Sequence, residues 1–115
     1  MNMRTLIILL IASLAFSACS KLDIEKDVPQ VIKDKIKTFS ESSTICSDGK
    51  VDEYSFQSQT VYVFDPGINC GADMTSEVVN SDGETLGYLG GLAGNTTING
   101  EDFGNAEYGR TVWKN

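Results

Sequence analysis

The first eighteen residues decide how much chain is left to fold. The run from Met1 to Ala18 carries one positive charge (Arg4), an apolar stretch centred on Leu6–Ala12 and a small-residue end, and Cys19 follows. That order is the order of a secretory signal peptide. The apolar stretch is too short for a permanent span, which needs about 20 apolar residues. Ser17 and Ala18 before Cys19 make a lipobox-like end, with Phe16 at the position more usually held by Leu. The sequence thus predicts residues 1–18 as a lipoprotein signal peptide, with cleavage before Cys19 and acylation there. A thiolate is the nucleophile that takes a diacylglyceryl group, and each buried CH2 of the acyl chains contributes about 0.8 kcal/mol to anchoring. A soluble secreted product, cut after Ala15 or Ala18, is the competing reading. The expected location is the cell envelope, at the outer membrane of a Gram-negative bacterium, with the periplasmic and surface faces both open. Without residues 1–18, 97 of 115 residues are left. That is one domain, small enough that its core needs help.

Export also decides how the other cysteines are read. With Cys19 acylated, Cys46 and Cys70 are an even pair in an oxidising compartment, each beside turn residues. A bridge closing that loop stabilises by roughly 3–4 kcal/mol in the chain-entropy account. Their spacing is far from Cys-x-x-Cys, and no neighbouring Lys or His would lower a thiol pKa, so the disulfide is structural in this reading.

Charge and composition exclude more than they assign. Residues 19–37 hold five lysines against four acids, a net of +1; residues 38–115 hold Lys50, Arg110 and Lys114 against twelve acids, a net of −9. Such a body does not suit nucleic acid, whose phosphates need clustered Lys and Arg. It is also ill suited to lying flat on anionic lipid. The chain has no histidine. That removes Ser-His-Asp and Cys-His catalysis and the commonest transition-metal ligand. Asp48, Asp52 and Glu53, or Glu101 and Asp102, offer carboxylates but not the calcium-loop spacing, and read as solvated turns. No acid pair stands out for glycoside hydrolysis. No cofactor, metal or catalytic residue is expected.

Along the chain, residues 19–27 read as a lipid-anchored tether and 28–115 as a single domain. Val28–Glu41 is the clear helix. Pro29 suits its first position, Asp27 suits its positive end, and Val28, Ile32, Ile36 and Phe39, widened by Val31, recur at helical spacing. Ser40–Thr44 stops it. From Val51 the period becomes two. Tyr54 and Phe56 alternate with polar residues, and Gln59–Phe64 is strongly β-forming. Gln57-Ser58-Gln59 is a tight hairpin turn, and Asp65-Pro66-Gly67 ends the second strand. Met74–Asn80 and Thr85–Leu89 are further strands, joined through Ser81-Asp82-Gly83 as a type I′ turn. Arg110–Trp113 closes an edge. The expected class is α+β, one N-terminal helix packed on a four- to five-stranded antiparallel meander.

Thr85–Gly100 holds no charge in sixteen residues. Its glycines fit neither the dinucleotide fingerprint nor a phosphate loop. Two readings stay open: a strand running into a buried turn where glycines let backbones approach, and an exposed loop contacting a partner. The candidate partner-binding residues are Tyr88, Leu89, Gly90, Gly91, Leu92, Ala93, Gly94 and Asn95.

At Cys70-Gly-Ala-Asp-Met-Thr-Ser-Glu-Val78, Leu86–Asn95 and Ile98-Asn-Gly-Glu-Asp-Phe103, the chain resembles a family of short uncharacterised bacterial lipoproteins, over about residues 28–115. That resemblance implies no activity and transfers no site residue. More loosely, a helix opening on Val-Pro before a meander is similar to PepSY and β-lactamase-inhibitor-like periplasmic domains, which implies protein binding. Cystatin-type inhibitors share that layout, but Gln59-Thr-Val61 lacks the glycine of their Gln-x-Val-x-Gly hairpin. The function expected is a non-enzymatic binding module of the envelope, anchored in the bilayer through Cys19, with an envelope protein as partner. Inhibition of an exported protease is the alternative.

Overall fold

Helix α1 spans Gln30–Ser40, in a computed structural model that describes residues 22–71 and 74–115. The expected signal peptide and Cys19 lie outside the described residues. α1 is shorter than the Val28–Glu41 expected, and Pro29 precedes it instead of occupying its first position. Pro29 has an extended ψ of 147°, so it serves as the boundary residue whose carbonyl accepts from the Ile32 and Lys33 N–H groups. Ile32 and Ile36 are fully buried, while Val31 is 42% exposed, so the apolar stripe is narrower than predicted.

Five strands form one antiparallel sheet: β1 (Lys50–Phe56), β2 (Gln59–Asp65), β3 (Thr75–Asn80), β4 (Thr85–Gly90) and β7 (Glu107–Lys114). Their spatial order is β4-β3-β2-β1-β7. The class is therefore α+β. Between β4 and β7 the chain makes a two-stranded ribbon, β5 (Thr97–Ile98) with β6 (Glu101–Asp102), and a 3-10 turn at Phe103–Asn105. The sequence reading missed this ribbon.

The sheet is covered on both faces. On one, α1 lays Ile32 and Ile36 on Val51, Tyr62, Phe64, Val79, Val112 and Trp113. On the other, Ile98 joins Phe56, Val61, Val63 and Val78, flanked by Phe103 and Leu86. Double coverage explains why Val61–Phe64 is buried at every position; alternation sends adjacent residues to opposite cores. Gly87 faces the second core. A β-carbon there would stand 3.0 Å from the Ile98 Cδ1, so the missing side chain is what lets Ile98 seat.

The turns answer to local chemistry. β1 and β2 are joined by Gln57 and Ser58 alone, with φ of 51° and 60°, the positive pair that a two-residue type I′ hairpin requires. The β3–β4 turn differs from expectation. Only Gly83 has positive φ there, and the turn is built on Asn80, whose Oδ1 accepts from the Asp82 and Glu84 N–H groups at 3.0 and 2.9 Å. An Asx-type side-chain bond has taken the place of the type I′ geometry.

β7 is twice the length expected, with register shifts that bulge it against β1. Val51 faces Trp113 and Asp52 faces Thr111, leaving Val112 as the extra residue. This is how two consecutive residues, Val112 and Trp113, both reach the α1 core. The described part of the expected tether makes contacts with the domain. Ile24 packs against the α1 core and the Glu25 N–H donates to the Val112 carbonyl at 2.9 Å, so the chain is attached to the domain well before residue 28.

Candidate functional site

Gly90–Asn95 leaves the edge of the sheet as a turn braced by its own backbone. Gly90 and Asn95 exchange both N–H···O bonds, at 2.9 and 3.1 Å, and the Gly94 N–H donates to the Gly91 carbonyl. The Asn95 side-chain amide donates to the carbonyls of Tyr88 (2.6 Å) and Thr97 (2.9 Å). Gly90, Gly91 and Gly94 all have positive φ, which only glycine adopts without strain. The turn is tied to the residue just before β3 by the Gly91 N–H on the Met74 carbonyl. The ends of the turn are therefore tied to each other and to the sheet.

The tip of that turn is exposed, unlike the buried turn that the first reading expects there. Leu92 is 89% exposed, and Ala93, Gly94 and Asn95 are exposed beside it. Tyr88, 52% exposed, stands across from Glu77 on β3 and lines a shallow groove with Phe39, Phe64, Pro66 and Met74. Leu89 belongs to the opposite face, half-buried against the second core. Strand alternation thus divides the candidate residues: Tyr88 and the turn are presented, and Leu89 is structural.

The loops carrying Cys46 and Cys70 lie at the same end of the sheet. The two cysteines are bonded, with Cα atoms 5.4 Å apart. Around them the Cys46 N–H donates to the Pro66 carbonyl at 2.8 Å, and the Asp48 carboxylate accepts from the Ile68 and Asn69 N–H groups. Those backbone donors, Ile68 foremost, hold the Asp48 carboxyl below its usual pKa. Ile68, 73% exposed in this loop, is a presented apolar residue that the sequence reading did not single out. Its surroundings, Gly67-Ile68-Asn69, mark a turn but give no sign that the side chain faces outward.

The acid clusters do not form sites. Asp52, expected in a solvated turn, is buried in β1. It accepts from Thr111 Oγ1 at 2.6 Å and pairs with Lys50 at 3.1 Å, an arrangement that raises the Lys50 pKa. Glu53 also belongs to β1, paired with Arg110 at 3.2 Å. Asp102 caps the 3-10 turn through the Gly104 N–H, and Glu101 accepts from Asn105. Burial first, then Glu53, pushes the Tyr62 hydroxyl up to about 12. Among the described residues there is no cluster of His, Cys, Asp and Glu fit for a metal, and no helix long and apolar enough to cross a membrane.

Residues 37–115, which contain the whole sheet and both loops at this end, match a family described as a domain of unknown function (DUF6970). The chain belongs to that family. No curated protein and no solved structure matches it. Membership agrees with an uncharacterised family and brings no activity, so the functional reading rests on the geometry of the loop.

Proposed function

We propose that the protein is a non-enzymatic interaction module of the cell envelope, held to a membrane through acylated Cys19 and offering the Gly90–Asn95 turn to a protein partner. One observation carries the reading: a large apolar side chain, Leu92, is 89% exposed on a turn closed by its own backbone hydrogen bonds. Exposed apolar surface marks contact sites when it is presented as a feature of the fold. A turn braced before binding loses little conformational freedom on contact. The absence of charge across Thr85–Gly100 in a chain of net charge −7 fits a surface meant to be desolvated.

In-cell crosslinking of the whole protein tests the partner, with Ala93→Asp as control. One dominant crosslinked protein, lost in a control that still folds, supports the module. Unchanged recovery of abundant envelope proteins alone counts against it. The anchor is tested separately: Cys19→Ala abolishes membrane retention, and unchanged detergent-phase partitioning of that variant removes the lipid from the account.

A second reading, inhibition of an exported protease, draws on the same braced turn, which presents one apolar side chain as a substrate-like wedge would. A panel of envelope proteases tests it, and no inhibition at micromolar protein counts heavily against it.

A further inference from the structure

The placement of Leu22 fixes which side of the domain can meet a bilayer. Ile24 is packed into the α1 core and Glu25 is bonded to the outer edge of β7. The chain is therefore already held by the domain at Ile24, and the length of chain back to Cys19 is short. Leu22 is three residues on from Cys19, at most about 11 Å of extended chain. Leu22 itself is partly exposed beside a hollow where Lys33 and Lys37 stand among Gln30, Asp34, Ser40 and Glu41.

We propose that this side of the molecule, Leu22 with the outer face of α1, rests on the lipid headgroups, a proposal that depends on the acylation of Cys19. Chain length is the first argument: an acyl group on Cys19 brings Leu22 within a few residues of the headgroup layer. Charge is the second. Residues 19–37 carry +1 and residues 38–115 carry −9, so an anionic headgroup layer repels the segment with Leu22 and most of α1 less than it repels the rest of the chain. Lys33 and Lys37 meet lipid phosphates directly. The acidic body argues against lying flat on anionic lipid only where its charges are even, and they are segregated. The orientation has a consequence for the Gly90–Asn95 turn. It extends from β4, four strands across from β7, about 19 Å at ordinary strand spacing, so it is presented at the edge away from the anchor.

The test compares lysine acetylation by a membrane-impermeant reagent in the lipidated protein on phosphatidylethanolamine–phosphatidylglycerol vesicles and in soluble Cys19→Ala. The expected result is a several-fold loss of labelling at Lys33 and Lys37 on vesicles, with Lys50 unchanged. Equal labelling at all three lysines overturns the orientation, as does protection centred on Lys50. Protection of Lys33 and Lys37 without vesicles, rising with protein concentration, assigns the face to a second copy and overturns it too. A mass spectrum of Cys19 separates the two claims. If Cys19 carries no lipid, the acylation reading falls. Because Cys46 and Cys70 are bonded, the Cys19 thiol can then be coupled to a maleimide lipid in the same vesicles, and the labelling pattern still judges the orientation.

Discussion

Replacing both bridged cysteines, Cys46→Ala with Cys70→Ala, removes the covalent tie between the loop before β1 and the loop after β2. Apart from the Cys70 N–H on the Cys46 sulfur, most native contacts there do not depend on it. The Cys46 N–H on Pro66, the Asp48 carboxylate on Ile68 and Asn69, and Asn69 on Ser47 link the same two loops without it. The effect therefore falls mainly on the unfolded chain, which gains the freedom of the opened loop. For a sequence separation of 24, the chain-entropy relation gives about 3.5 kcal/mol at 25 °C. Against a typical domain stability of about 5–15 kcal/mol, that is a large share. Urea unfolding followed by Trp113 fluorescence measures it. With a slope near 1.5 kcal/mol/M, the midpoint falls by about 2 M, and the slope itself rises because the unlooped chain exposes more surface. A midpoint that moves by less than about 0.5 M, with the slope unchanged, would refute the view that the bridge acts by restricting the unfolded state.

Three further perturbations probe the turns and the second core. Ser58→Gly relieves a left-handed backbone position on an exposed turn and raises stability by about 1 kcal/mol in the same urea assay; a loss of stability would show that the hairpin depends on Ser58 itself. Gly87→Ala places a β-carbon 3.0 Å from Ile98 Cδ1 and lowers stability by about 1–3 kcal/mol, and combining it with Ile98→Val recovers part of the loss. Asp48 has its pKa lowered chiefly by the Ile68 N–H, so its contribution is fully present above the unfolded value of 3.8 and disappears as pH falls through the lower folded value. Acid unfolding curves of the protein and of Asp48→Asn should accordingly differ above about pH 4 and converge below it; parallel curves down to pH 2 would contradict the assignment.

Much of this fold was legible because its signals are local. Val28, Ile32 and Ile36 mark a helix by spacing, Gln59–Phe64 marks a strand by residue type, and the even pair Cys46 and Cys70 marks a bridge once Cys19 is set aside. What escaped depended on partners distant in sequence. Asp52 looked like a turn acid because its partner Thr111 lies on β7, in a pairing made by bulges that no periodicity records. The β5–β6 ribbon has strands of two residues, below the length at which alternation can be seen. The uncharged segment was ambiguous for a related reason. Glycines serve both a buried close approach and an exposed braced turn, and this segment contains both: Gly87 makes room for Ile98 while Gly90, Gly91 and Gly94 shape the tip.

The central claim is that the Gly90–Asn95 turn is where a partner docks, and a photo-crosslinker placed at position 92 addresses it most directly. The comparison is the same crosslinker at position 107, at the start of the opposite edge strand. The account predicts one dominant adduct from position 92, at the same mass in repeated preparations, and none from position 107. Indistinguishable adducts from the two positions, or none from either at full expression and native disulfide content, would contradict it.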